Sequence, residues 1–356
     1  MTLPKPPALA LRRWIGAGLL LALIAPSLLL GPLDSAHAKD SELNLYSARH
    51  YSSDQELYDA FTKQTGIKIN QIQASDEALL ERIKSEGKAS PADVILLADA
   101  ARLWKAQTEG LFQPVQSSVL RSNIPAGLQS DQLWFGFTTR ARIIVFDKSK
   151  INPQQIQRYE DLASPALKGK VCTRSGAHPY MLSLLASIIA HQGEQKAEAW
   201  ARGVVANLAR TPRGGDTDQI KGVISGECAV ALTNSYYLVR LLKAPKPEER
   251  EAASKLGVIW PNQSTTGTHI NVSGGGMARY APNPESARKF LEFLASPVAQ
   301  AQFANANNEW PVVAKVAINN PELSNLGDFK AEKVPVSVIG QHQPAAARII
   351  DRSGWK

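Results

Sequence analysis

The stretch "ELNLYSARHYSSDQELYDAFTKQTGIKINQIQ", Glu42 to Gln73, reads as strand, helix, strand. "ELNLYSA" has the alternation of a β-strand. From Ser53 to Gly66, Leu57, Tyr58 and Phe61 recur at helical spacing, with Ser53 or Asp54 as the cap and Gly66 as the stop. "IKINQIQ" then alternates again. Outward from there, "DEALLERIKSEG" predicts a second helix ending at Gly87, and "ADVILLAD", Ala92 to Asp99, is a continuous apolar strand. An apolar run without alternation suits a strand covered on both faces, so the chain opens as an α/β unit with helices on a mostly parallel sheet.

The pattern changes at "LWFGFTTRARIIVFDKS", Leu133 to Ser149, where two β-rich runs flank Thr138 and Thr139 and predict a crossing between lobes. A second α/β segment follows, with strands "GKVCTRS" and "CAVALTN" and helices "YMLSLLASIIAHQG" and "EQKAEAWARGVVANL". Extended structure from Gly257 to Asn283 leads back to the helices "PESARKFLEFLAS" and "PVAQAQFANAN". A chain of this length suits two lobes rather than one core. The expected boundaries are residues 39–139 for the first part of lobe 1, 140–267 for lobe 2, 268–315 for the return of lobe 1, and 316–356 for a C-terminal segment packing on lobe 2. Two α/β lobes joined by extended crossovers leave a cleft between them, the ordinary place for a ligand.

Residues 1–38 carry Lys5, Arg12 and Arg13, an apolar run, and "AHA" at Ala36–Ala38 before Lys39. That order is a secretory signal peptide, and Arg12-Arg13 leaves both the general secretory and the twin-arginine route open. Removing three cations and Asp34 takes the net charge of +8 to +6. No basic cluster points to nucleic acid, and nothing beyond residue 39 is long and apolar enough to span a bilayer. A soluble, monomeric, periplasmic protein is expected. The two cysteines, Cys172 and Cys228, lie in the exported part and predict one disulfide. A pair of zinc thiolates would want a CxxC spacing, which is absent.

Tyrosine is sparse, with eight in the chain, and several sit at matching places. Tyr51 follows His50 just past the first strand. Tyr180, in "SGAHPYM", follows the strand of Cys172, and Tyr236 and Tyr237, in "TNSYYLVR", follow the strand that begins at Cys228. Each address is a strand-to-helix turn, where open α/β sheets place their ligands. An isolated Tyr-Tyr pair is ordinarily one buried and one exposed ring, and the shared address is what argues for more. Phenols lose their proton near pH ~10, so several of them beside an imidazole suit a hard trivalent ion such as Fe3+ that drives the proton off. Ca2+ or Mg2+ would call for clustered carboxylates, and Zn2+ for thiolates or histidines. Tyr46, Tyr58, Tyr159 and Tyr280 are read as structural.

The strings "LNLYSARHY", "GGDTDQIKGV", "GECAVALTNSYYLVRLL" and "THINVSGGG" resemble the periplasmic ferric-iron-binding proteins that feed an ABC importer, in particular the Fut-type subgroup. The resemblance runs over nearly the whole mature chain. It implies the class II two-lobe periplasmic-binding-protein fold, a single Fe3+ as cargo, and a membrane permease as partner. It further implies His50, Tyr51, Tyr180, Tyr236 and Tyr237 as the ligands, with Arg140 and Arg240 near them to offset the negative charge of four phenolates. Arg49 is a weaker candidate for that role, and His178 a possible donor behind Tyr180. Two other classes compete with this reading. One is a binding protein of the same fold for an oxyanion, which "STTGT" and "VSGGG" would serve, or for a polyamine. The other is an iron-dependent enzyme, against which stand the missing GxSxG, HExxH and Walker sequences.

Overall fold

The computed structural model describes Thr2, residues 41–49 and residues 51–356. The leader and His50 therefore lie outside the described residues, apart from Thr2. The first half runs β1 (Glu42–Ser47), α1 (Asp54–Thr65), β2 (Lys68–Gln73), α2 (Asp76–Glu86), β3 (Val94–Leu97), α3 (Ala100–Thr108), α4 (Ser118–Asn123), β4 (Gln129–Ser130) and β5 (Trp134–Asp147). The second runs β6 (Val171–Cys172), α5 (Pro179–Gln192), α6 (Glu194–Ala206), α7 (Asp216–Ile224), β7 (Val230–Asn234), α8 (Ser235–Leu242), α9 (Pro247–Ser254) and β8 (Leu256–Ile259). The chain returns through β9 (Ile270–Met277), α10 (Pro284–Leu294), α11 (Pro297–Asn305) and β10 (Trp310–Pro311), and continues into α12 (Pro321–Ser324), α13 (Val336–Gln341) and α14 (Gln343–Ser353).

The strands lie in the order β2-β1-β3-β9-β5-β7-β6. Pairs β1/β2, β1/β3 and β6/β7 are parallel, while β9 enters antiparallel between β3 and β5. Alternate residues feed different cores. In β3, Val94 and Leu96 join the cluster of Leu43, Phe61 and Phe290, whereas Ile95 and Leu97 join that of Tyr46, Leu80 and Leu103. Burial on both faces explains why "ADVILLAD" shows no polar alternation. The second half repeats the arrangement, with Ile144 and Phe146 on one face of β5 and Ile143 and Val145 on the other.

The sequence suggested two β-rich runs at 133–149; the structure has a single strand of 14 residues. Its register shifts between Gly136 and Thr138, and it changes partners along its length. Phe135–Ala141 pairs with β9, Arg142–Phe146 with β7, and Ile144–Asp147 with β8. The break in pattern thus marks a change of neighbours, not an end of the strand. The glycines of β9 serve that packing. A Cβ at Gly275 would lie 2.2 Å from the Ile95 carbonyl oxygen, and one at Gly274 2.4 Å from that of Phe135. "VSGGG" is therefore taken up by strand packing rather than by a ligand, and Gly267 of "STTGT" is pressed against Ala331 in the same way.

Helix α14 packs on α5 and α6 of the second half, but α13 packs on α3 of the first half as well as on α5. Gly340 makes this possible, since a Cβ there would meet the Trp104 ring at 2.2 Å. The C-terminal segment packs on α5 and α6, as the sequence suggested, and touches α3 of the first half in addition. Among the described residues no helix is long and apolar enough to cross a membrane.

Cys172 and Cys228 form a disulfide between residues 56 apart in sequence, with Cα atoms 5.9 Å apart. It staples the start of β7 to β6, the two strands that lead to Tyr180 and to the Tyr236-Tyr237 pair. Closing a loop of this size stabilises the fold by about 4 kcal/mol on the chain-entropy account. Double replacement by serine is expected to lower the urea-unfolding free energy by about that amount while leaving the order of metal preference unchanged. A changed metal preference with unchanged stability would contradict this.

Candidate metal centre

Tyr51 stands between β1 and α1, in a turn braced by buried charge. The Arg49 guanidinium pairs with Asp54 at 2.7 Å and with Glu309 at 3.2 Å. Its Cζ lies 4.8 Å from the centre of the Tyr51 ring. The Tyr51 hydroxyl donates to Glu309 Oε1 at 3.0 Å, and Thr138 Oγ1 donates to Glu309 Oε2 at 2.9 Å. Glu309 is wholly buried.

Tyr180 occupies the first turn of α5, after Pro179, whose fixed φ and missing N–H suit the first helical position. His178 caps this helix: its Nδ1 accepts from the Tyr180 amide at 3.2 Å, and the two rings meet edge to face at 4.5 Å. His178 thus positions the backbone of Tyr180.

Tyr236 and Tyr237 lie within the first turn of α8, so both are helical. The adjacent pair does not depend on an irregular backbone. Their Cβ atoms leave the helix about 100° apart, yet their ring centres approach to 4.1 Å at an interplanar angle of 31°. The first turn has no preceding turn to obstruct the rings, which leaves both free to swing to one side.

The rings converge from both halves of the molecule. Tyr180 and Tyr236 hydroxyl oxygens are 3.4 Å apart, and the Tyr51 and Tyr236 rings meet edge-on at 5.8 Å. Tyr236 is fully buried, while Tyr51 and Tyr237 keep part of their surface exposed. Burial pushes the Tyr51 and Tyr236 phenols well above their ordinary range, and neighbouring acid or phenol groups push the same way. Tyr180 is pushed up to about 12 by burial, against the pull of Arg140. Without a strong Lewis acid these phenols stay protonated at neutral pH.

Arg140 is buried beside them. It pairs with Glu309 Oε1 at 3.6 Å, donates to Ser273 Oγ at 2.6 Å and to the Ala98 carbonyl, and lies 5.5 Å from the centre of the Tyr180 ring. Arg240 is exposed, with its Cζ 5.9, 5.6 and 5.5 Å from the centres of Tyr51, Tyr236 and Tyr237. Both sequence-predicted arginines therefore sit against the cluster, and Arg49 joins them. Tyr46, Tyr58 and Tyr159 are buried in the cores, and Tyr280 is 41% exposed.

Two groups escaped the sequence reading. Glu309 ties Tyr51, Arg49, Arg140 and Thr138 together. Arg174 lies 5.1 Å from the centre of the Tyr180 ring and 3.4 Å from Asp216, which also holds Arg142 at 2.5 Å. Neither follows a motif or a period; a buried acid such as Glu309 must be paired, but its hydrogen-bond partners Thr138, Tyr51 and Arg49 lie 171, 258 and 260 residues away in sequence. Among the described residues no three His, Cys, Asp or Glu side chains are grouped to hold a metal ion.

Two α/β halves, a strand shared between them and a cluster of donors at their strand ends define a two-lobe periplasmic binding protein of class II. The chain belongs to the bacterial extracellular solute-binding proteins, which it matches over residues 46–301, and within them to the FutA-type ferric-iron-binding group. It is 48% identical over 326 residues to iron uptake protein A1 of Synechocystis sp., covering 91% of this chain and 90% of the relative. The structure of Trichodesmium IdiA (FutA) in complex with iron and citrate superposes with a TM-score of 0.84 at 51% identity, covering 88% of this chain and all of the other. The ferric-binding protein of Campylobacter jejuni gives 0.84 at 42%, covering 88% and 100%. The chain is thus a periplasmic binding protein of an ABC iron-transport system and not an enzyme.

Proposed function

We propose that one Fe3+ ion is held between the lobes by the phenolates of Tyr51, Tyr180, Tyr236 and Tyr237, with the imidazole of His50 as a further ligand. The observation that carries this reading is the convergence of Tyr51 from the first half with Tyr180 and Tyr236 from the second, their rings or hydroxyls in contact. Tyr51 belongs to the lobe comprising residues 39–139 and 268–315, and the other three to the lobe of 140–267.

Four phenolates around a trivalent ion leave one net negative charge, which is costly in a poorly solvated cleft. Arg140 offsets it from inside and Arg240 from the mouth. Arg240, being exposed, also supports an external carboxylate as an additional ligand, in keeping with the citrate of the Trichodesmium structure. The loaded monomer passes its ion to a membrane permease.

The test is the visible spectrum of the purified protein after addition of ferric salt. Phenolate-to-iron charge transfer gives a red-orange band. A colourless protein that retains iron would overturn the tyrosinate reading.

A further inference from the structure

Helix α14 ends at Gly354, whose φ of +70° turns the chain back on itself. The turn delivers Trp355 into the core of the second half, where it is 2% exposed and meets the ring of Trp200 at 5.6 Å. Beyond packing, its indole Nε1 donates to Thr173 Oγ1 at 3.0 Å, and Thr173 is itself buried. The next residue completes a second tie: the Gly176 amide donates to the Lys356 carbonyl at 3.2 Å.

Thr173 and Gly176 belong to the loop between β6 and α5, the loop that launches Tyr180. Gly176 is fitted to its partner. A Cβ there would lie 2.7 Å from Trp355 Cγ, 2.8 Å from the Trp355 carbonyl oxygen and 2.9 Å from Ile350 Cδ1. Arg174, between the two tied residues, rests over the Tyr180 ring and pairs with Asp216. From Gly176 the chain reaches Tyr180 in four residues, by way of the His178 cap.

We infer that Trp355 is a positioning residue for Tyr180: by clamping the 173–176 loop from behind, it sets where the phenol stands in the iron site. This rests on the ligand set proposed above. The strand before the loop has two residues and is anchored at Cys172 by the disulfide; beyond that staple, the ties to Trp355 and Lys356 are what hold residues 173–176 in front of the helix start. A purely structural tryptophan would affect stability alone; a positioning one also changes the phenolate's geometry at the ion.

Three variants separate these roles. Trp355→Phe keeps a ring and removes the N–H donor, Thr173→Val removes the acceptor from the other side, and Tyr180→Phe removes the ligand oxygen. With ferric iron bound, Trp355→Phe and Thr173→Val are each expected to shift the charge-transfer band and to release iron to excess EDTA about 10-fold faster, the scale of loss when a group supporting a metal ligand is removed. In the Tyr180→Phe background neither should accelerate release further. If Tyr180→Phe alters band and release while both other variants match the parent, the clamp is overturned and the ligand set stands. If Tyr180→Phe itself matches the parent, the role of Tyr180 falls and the clamp falls with it. Thr173→Val, which leaves the tryptophan packing intact, decides the matter should Trp355→Phe prove too unstable to load.

Discussion

Tyr236→Phe and Tyr237→Phe are each expected to lose ferric iron to a chelator more than about 100-fold faster than the parent, since removing a ligand costs more than removing its support. Each substitution deletes one oxygen and keeps the ring, so the 4.1 Å contact between the two rings survives. The folding cost is small. The contact found for the Tyr236 hydroxyl is the long one to Tyr180 at 3.4 Å, and a lost hydrogen bond of ordinary strength is worth about 1 kcal/mol. Iron loss far outside that range reports on coordination. Each variant should also move the charge-transfer band, and the double variant should be nearly colourless with an unchanged far-ultraviolet circular dichroism spectrum. His50→Ala should do less, because a neutral imidazole holds a trivalent ion less strongly than a phenolate. Tyr280→Phe, on an exposed ring away from the cluster, is the control. If Tyr237→Phe behaves like that control, the partly exposed member of the pair is packing under Arg240, and the fourth oxygen comes from outside the protein.

The parts of this molecule that can be read from sequence are those written in local periods. The order strand, helix, strand from Glu42 to Gln73 follows from spacing alone, and the helix stop follows from the glycine at 66, which takes the left-handed φ of +75° that a glycine adopts without strain. The addresses of the tyrosines were legible for the same reason, since each lies where a strand pattern gives way to a helical one. The pairing of Cys172 with Cys228 needed only a count and a compartment. What was hidden depends on long-range contact. The continuity of β5 was obscured because its neighbours change at Ala141, so its pattern of burial changes with them. Glu309 stands between Asn308 and Trp310 with no period around it, and only the fold brings it to Tyr51, 258 residues away. Trp355 looks like an ordinary terminal aromatic until Gly354 turns it toward Thr173, 182 residues upstream.

The second large effect is acid release. Burial holds the phenols of Tyr51 and Tyr236 well above the ordinary value, and that of Tyr180 at about 12, so with no ion bound each keeps its proton throughout the neutral range. Binding as phenolate ejects those protons, and mass action then opposes binding as pH falls. With four phenols ligating, affinity for free ferric ion should drop by about four decades for each pH unit lost between roughly pH 9 and 7. Arg140, held above its ordinary range by the phenols and Glu309 around it, stays charged across this window, so the slope counts ligand protons and not that cation. The measurement is competition against a chelator whose own protonation is known, followed through the charge-transfer band at several pH values. A slope near one decade per unit would mean that a single phenol ligates and that the other rings only pack around it; a slope of three would single out one tyrosine as a bystander, and the tyrosine-to-phenylalanine variant that leaves the slope unchanged would name it.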